Sequence, residues 1–574
     1  MDRITQSLIG ELLGNQDLES EGEPKDFEKL ANYCIISNEY SKTFDIGLVT
    51  IGSGGDTGLD GIAIIVNGQL IEDSDEIDDL LERNSSLEVS YVFIQSKTSS
   101  SYSSGDLSTF IFGVKDFFSL NPSLVRNSDV TRIAEISDHI YSKAPFFKEN
   151  PIIKLFYCST GKWTDDQNLS AVIKSGVSEL EQLNLFEKVL FYPYGAKEIA
   201  ASFRKTKEAI STTINFSNRV TLPSISGISE AYIGLLPFEE FIKILSDEDE
   251  NLINVFEDNV RDFQGSNNDV NSGIEKTLSD ESSDLFSVLN NGVTIVASSI
   301  SPTGDNFTIR DYQIVNGCQT SNVLFKNRKN DYIKGVNVPI KIIATDNDEI
   351  KTRITLATNN QTPIKKEQLA SLTTFQRSLE EYYNSYSGDS KLYYERRSKQ
   401  YNCDSSVLKT KIITVPYQIK SFAAMFLENP HQVTSFFGTL VGKLNEGKAN
   451  IFSDDHVYSP YYTSAFAYYK LETHFRRKNI DTSYKKVRFH ILMLFRILFE
   501  DRCLPNFNSR KMDEYCQVIL DLLGDDSKSL ASFNRCIKVI DEADFDKSDR
   551  QDIKRLSKTK DLLTKAGELK DQPD

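Results

Sequence analysis

Two apolar runs stand out in the first hundred residues, and both have the length and composition of β-strands. Ile62–Val66 is largely β-branched, and Tyr91–Lys97 (YVFIQSK) is rich in Tyr, Val, Phe and Ile. Side chains alternate across a strand, so Gln95 and Lys97 share one face while Ile94 and Ser96 take the other. The first run emerges from GGDTGLDG, whose Gly54, Gly55, Gly58 and Gly61 allow backbone angles closed to other residues and leave Asp60 at a strand entrance. Upstream, Pro24–Ser37 repeats Phe27, Leu30, Ala31 and Cys34 at helical spacing, with Glu28 beside that stripe.

The patterning predicts further elements. Asp2–Leu18 reads as an amphipathic helix, Glu19–Pro24 as a linker, and the acidic Ile71–Ser86 as an insertion forming a short helix or loop. A polar loop, TSSSYSSGD, follows Lys97. Asp106 is placed to cap the next helix, which buries Leu107, Phe110, Ile111 and Val114, and another helix covers Ser128–Ser142. Two buried-type strands, Ile152–Cys158 and Lys188–Tyr192, flank a helix over Asp165–Leu183 and would extend the first sheet. Residues 1–215 are thus expected to form one α/β domain. Trp163, the only tryptophan, follows a strand and suits either base stacking or a packed rim.

Residues 216–370 read as α+β. Helices are expected at Pro237–Ser246, Leu252–Phe263 and Ile274–Leu278. Asn290-Asn291-Gly292 turns into a strand at Val293–Ala297, and Tyr312–Val315 ends in an Asn316-Gly317 turn before a helix opens at Gln319. VPIKIIAT is a buried strand and ITLATNNQTPIKKEQL a helix. Residues 371–574 are expected to be all-α, with a charged tail from Asp544.

Composition narrows the class. At 574 residues and 39% hydrophobic, the chain can bury several cores. It has no run of eighteen apolar residues and no cleavable leader pattern, so a cytoplasmic protein with no membrane association is expected. Seven cysteines are scattered without a Cys-x-x-Cys pair, and five histidines are equally dispersed, which disfavours a zinc site, a disulfide scaffold and histidine catalysis. The net charge is −18, but it is uneven: residues 1–150 hold 11 Lys/Arg against 26 Asp/Glu, and residues 371–500 hold 18 against 12. On that distribution the later region is the candidate surface for holding a polyanion such as DNA.

The chemistry follows from the first block. Phosphodiester hydrolysis needs a hard cation, held by oxygen ligands with sites left open, and an ammonium nearby to orient water or offset phosphate charge. Asp60, the Gln95 carbonyl and Lys97 match these roles, and Glu28 offers a further carboxylate. A surface hairpin with solvated polar residues is the plainer alternative. The order Phe-Glu on a helix, a Gly-rich turn into Asp-Gly, and a strand ending Gln-x-Lys resembles the PD-(D/E)xK nuclease superfamily in its Mrr-like Gln-x-Lys variant. That resemblance implies a restriction-endonuclease-like fold, Mg²⁺ or Mn²⁺ as cofactor, Glu28, Asp60 and Gln95 as ligands, and Lys97 as the catalytic ammonium. Leu59 stands where the signature has proline, and Gln95 where it has an acid, which implies weaker metal binding.

A second resemblance spans Asp258 to Tyr401. DNVRDF, NNGVTIVA, QIVNGCQT, ATNNQTPI and LYYERRSKQY, in that order, resemble the AIPR family, named for abortive infection and phage resistance. It implies bacterial antiviral defence. The amides and hydroxyl of Asn290, Asn291, Asn316, Gln319, Thr320 and Asn359 are candidates for reading phosphate, sugar or base edges, with Arg396 and Arg397 for phosphate contact. Asparagines before glycine also simply serve turns. The expected protein is a DNA endonuclease, with RNA as another substrate, working as a homo-oligomer and answering a nucleotide or a phage-derived trigger. The alternative is a non-catalytic nucleic-acid or nucleotide-binding sensor with a degenerate nuclease domain.

Overall fold

The computed structural model describes the chain except for residues 41–42, 53–54, 85, 208–209, 247–252, 254, 256–276, 279–282, 284, 359–365, 397–399, 402–403, 405, 436–439, 441–449, 500–503, 548 and 571–574. The expected helix at Leu252–Phe263 and the ATNNQTPI turn therefore fall almost wholly outside the described residues.

The β-branched runs form a five-stranded mixed sheet. Its strands are β1 (Gly61–Val66), β2 (Gln69–Leu70), β3 (Val89–Lys97), β4 (Ile152–Ser159) and β5 (Lys188–Tyr194), in the order β2-β1-β3-β4-β5. β1 runs antiparallel to β2 and β3, whereas β3, β4 and β5 are parallel and joined by helical crossovers. Alternation sends Tyr91 and Phe93 into one core with the helices Ser104–Phe117 and Ser128–Ser142, and Val92 and Ile94 into another with Glu23–Glu39. Being covered on both faces explains why these strands are almost uniformly apolar. The helix after Lys97 starts one turn earlier than the sequence suggests: Ser103, not Asp106, is its cap, accepting the Asp106 N–H through its side chain.

A second, six-stranded sheet is ordered β6-β10-β9-β11-β8-β7. It comprises β6 (Ser211–Asn215), β7 (Arg219–Thr221), β8 (Glu230–Pro237), β9 (Val293–Thr303), β10 (Asn306–Asn316) and β11 (Asn337–Ala344). β9 and β10 make a hairpin longer than expected, because past Ala297 the strands carry polar residues that need no second layer. The carboxyl-terminal region is helical. Val415–Leu427, Ser459–Arg476 and Arg488–Phe499 pack around Phe422, Tyr461 and Leu492, and Leu556–Lys570 closes it. It also contains a two-stranded parallel ladder, β12 (Tyr393–Glu395) with β13 (Ile412–Thr414), that an all-α expectation omits. Among the described residues no helix is long and apolar enough to cross a membrane.

The charge asymmetry has an intramolecular use. Arg488 lies between Glu72 (3.2 Å) and Glu472 (3.3 Å), and the Tyr417 hydroxyl donates to Glu72 at 2.7 Å. Lys485 faces Asp45 at 3.7 Å, Lys478 faces Glu21 at 3.1 Å, Lys420 faces Glu76 at 4.0 Å, and Lys554 pairs with Asp75. The basic residues expected to hold DNA are thus in part committed to the acidic amino-terminal unit.

Candidate active site

Asp60 is fixed before its side chain is considered. The turn that leads to it closes through Asp56, which accepts from the Gly58 N–H at 2.9 Å and, by its carbonyl, from Leu59 at 2.9 Å. Thr57 (φ 56°) and Gly58 (φ 77°) are both left-handed, an unfavourable conformation for threonine of the kind that concentrates at functional sites. The helix Ser104–Phe117 presses on this turn through Gly113, where a Cβ would come 2.1 Å from the Thr57 carbonyl oxygen. The Asp60 N–H then donates to Ile94, and its carbonyl accepts from Ile51 and from the Asn32 side chain (3.0 Å). A Cβ on Gly61 would lie 2.3 Å from Asn32 Oδ1, so only glycine lets Asn32 reach in.

The Asp60 carboxylate, 6% exposed, takes two bonds on Oδ2, from Gln95 Nε2 at 2.7 Å and from the Ser96 N–H at 2.6 Å. Burial raises its pKa above the ordinary aspartate value, against the Ser96 and Gln95 hydrogen bonds and the Lys97 charge. Glu28 reaches the same place from Glu23–Glu39. It is 8% exposed and is raised chiefly by burial and next by the Asp60 charge, while Lys25 Nζ, 2.5 Å from its Oε2, pulls it down. Asp56 adds negative charge to both. Glu28, Asp60, Gln95 and Lys97 are therefore gathered at the start of β1 and the end of β3. Lys25, Asn32 and Asp56 join them unannounced by sequence, although Lys25 and Asn32 sit three before and four after Glu28, on one helical face.

Two carboxylates and an amide oxygen are an all-oxygen donor set, suited to a hard divalent cation. Burial raises both acids, and a bound cation would favour their charged forms. Among the described residues no three His, Cys, Asp or Glu side chains gather to hold a metal by themselves, so the Gln95 oxygen would be required. With Nε2 on Asp60, Gln95 Oε1 lies beside Gly58, and sharing a cation requires that amide to turn over.

The loops that follow the parallel strands stack beside this cluster. Ser159 Oγ donates to the Ser99 carbonyl at 2.7 Å and Thr160 Oγ1 to Thr98 at 2.8 Å, and Gly161 is pressed against the Ser100 backbone. Tyr157 on β4, level with Gln95, lies under Tyr102, which in turn meets Trp163.

The amide turns of the second block also meet. Gly317 is left-handed (φ 91°), and a Cβ there would come 2.9 Å from the Gly292 carbonyl, which puts Asn290 and Asn291 beside Asn316 and Gln319. Asn290 donates to Phe286 and Asn316 accepts from Gly317, both local turn bonds, and Thr320 is buried. Asn359 and Arg397 lie outside the described residues. Arg396 is paired with Glu380 at 2.5 Å with 9% of its side chain exposed, so it faces the protein interior more than solvent.

The protein thus combines a five-stranded and a six-stranded sheet with a largely helical carboxyl-terminal region, and a carboxylate-amide-lysine cluster lies at the first sheet. The family model described as AIPR protein matches residues 256–548, about half of the chain, and the chain belongs to the AIPR family, which is associated with abortive infection and phage resistance. The cluster of Glu28, Asp60, Gln95 and Lys97 precedes the matched segment. No curated protein and no solved structure matches the chain.

Proposed function

We propose that the chain is an antiviral defence nuclease with a restriction-endonuclease-like amino-terminal domain, hydrolysing DNA phosphodiester bonds with Mg²⁺ or Mn²⁺. One juxtaposition carries the reading: Asp60, bonded to Gln95 at a strand entrance, feels the Lys97 charge, and Glu28 is close enough to feel Asp60. The antiparallel β2-β1-β3 part of the sheet, followed by a helical crossover to parallel β4, supports it as well.

Asp60, Glu28 and the Gln95 oxygen would hold the cation, which when bound polarises phosphate and acidifies its water. The chain's own residues do the rest. The Ser96 N–H orients the Asp60 carboxylate, Asn32 anchors its backbone, and the Gln95 amide holds that carboxylate only until it turns over to offer its oxygen. Lys97 supplies a positive charge at the end of β3 to offset charge building on the phosphate. Glu28, raised by burial and by the Asp60 charge, is held in place by Lys25 at 2.5 Å.

The test is cleavage of plasmid DNA by the purified chain in Mg²⁺, Mn²⁺ or EDTA. Lys97→Ala should lose about 100-fold or more in rate while its circular dichroism and melting stay unchanged. Metal-dependent cleavage retained by that variant would sink the assignment. A second reading, a non-catalytic nucleic-acid sensor, is favoured by Gln95 standing where an acid is expected and donating its nitrogen to Asp60. Tight DNA binding with no cleavage in either cation would select it.

A further inference from the structure

We infer that Tyr102 and Trp163 form a stacking site for an unpaired nucleobase, next to the Asp60–Lys97 cluster. The inference deepens the nuclease reading by naming a strand with a splayed base as the substrate form. The two rings come from different loops, one after β3 and one after β4, and meet edge to face with centroids 4.9 Å apart and planes at 81°. In that arrangement one ring presents its edge and keeps its own faces uncommitted by the pair, the surface a base needs. Both side chains are half-buried, which leaves each a solvent-facing part.

The loops that carry them are held. Ser159 and Thr160 bond to the Ser99 and Thr98 carbonyls, and Gly161 admits the Ser100 backbone on one side and Gly195 on the other. Holding the loops in place lowers the entropy lost when a base seats.

A second observation points the same way. Below Tyr102, at a ring distance of 5.8 Å, Tyr157 is 0% exposed and its hydroxyl has no hydrogen-bond partner. A buried phenol usually finds one, and with Tyr102 covering it this hydroxyl meets a polar ligand group only when that ring shifts as a base seats.

Charge explains why a base rather than phosphate is the target. Lys162 is exposed beside Trp163, but Asp165 and Asp166 follow it. These acids are occupied locally: Asp166 caps the helix Gln167–Glu181 through Asn168 and Leu169, and Asp165 accepts from Ser170. The rim therefore offers little net attraction to phosphate, and affinity should come from ring contact.

Because Trp163 is the only tryptophan, its emission reports the site directly. The full chain in EDTA, where no cleavage runs, is titrated with a short oligothymidylate, its ribo counterpart, and the same backbone with abasic sugars. Quenching by base-bearing strands but not by the abasic one is expected, and the two sugars show whether DNA or RNA is preferred. Equal response to the abasic strand, or no response to any, overturns the site. By polarisation of a labelled strand, Trp163→Ala should bind about tenfold more weakly and Trp163→Phe within about twofold of wild type. Should Trp163→Ala misfold, the abasic comparison on the unaltered chain still decides. Quenching that persists in Lys97→Ala separates this inference from the catalytic one: each can fail while the other stands.

Discussion

The amino-terminal unit carries acidic groups at two places, and the partners the fold gives them differ. Asp60 and Glu28 are buried, raised, and held mainly by hydrogen bonds, with Lys25 and Lys97 as their nearby cations. Glu72, Asp75, Glu76 and Asp45 are met by cations from the carboxyl-terminal helices. Asp45 shows the result: burial pushes it up, but Lys485, the Gly47 N–H and nearby arginines outweigh that and hold it below the ordinary range. The difference between Asp45 and Asp60 is how much opposite charge the fold brings to a buried acid: several cations reach Asp45, whereas Asp60 has hydrogen bonds and the Lys97 charge alone.

Breaking the joined cluster should have the largest effect. Arg488→Ala leaves Glu72 and Glu472 facing each other without their shared cation, and should cost about 3 kcal/mol in urea unfolding. Lys478→Ala, at a contact where that lysine is 73% exposed, should cost well under 1 kcal/mol by comparison, roughly the value of a surface pair. Equal costs would mean that the cluster has no special standing.

Next comes the ligand-facing cluster. Gly61→Ala drives a Cβ into Asn32 and should cost about 2 kcal/mol while also impairing cleavage, because Asn32 then loses the Asp60 carbonyl. An alanine variant that melts like wild type would show that Asn32 does not lock the strand entrance.

The smallest effect concerns pH. Burial pushes Glu76 up to about 7 from 4.5, against Lys420, though its 31% exposed side chain damps the energetic consequence. An acid raised on folding holds its proton more tightly in the native state. Its contribution is therefore fully present below about pH 4.5 and is lost as pH rises toward about 7. Glu76→Gln should flatten the decline of melting temperature over that window, by an amount on the order of 1 kcal/mol or less. An unchanged slope would place the titration elsewhere.

Much of the fold was legible. YVFIQSK and IIKLFYC announce buried strands because sheets covered on both faces tolerate little polarity, whereas KVLFY, also expected to be buried, forms the half-exposed edge strand β5; the helix expected over Ser128–Ser142 forms and is capped by Asn127. The grouping of Asp60, Gln95, Lys97 and Glu28 was legible because strand alternation and helix period are local rules. What escaped was long-range. No spacing rule ties Gly113 to Thr57 or Arg488 to Glu72, and a count of basic residues cannot tell a cation that awaits phosphate from one already matched within the chain.

The Arg488 contact also bears on how this protein can be divided. A fragment cut to the AIPR-matched residues 256–548 would keep Arg488, Lys485 and Lys420 but discard Glu72, Asp45 and Glu76. Such a piece would leave Lys485 and Lys420 without these partners and Arg488 with Glu472 alone, and nucleic-acid affinity gained that way in vitro would be an artefact of surgery.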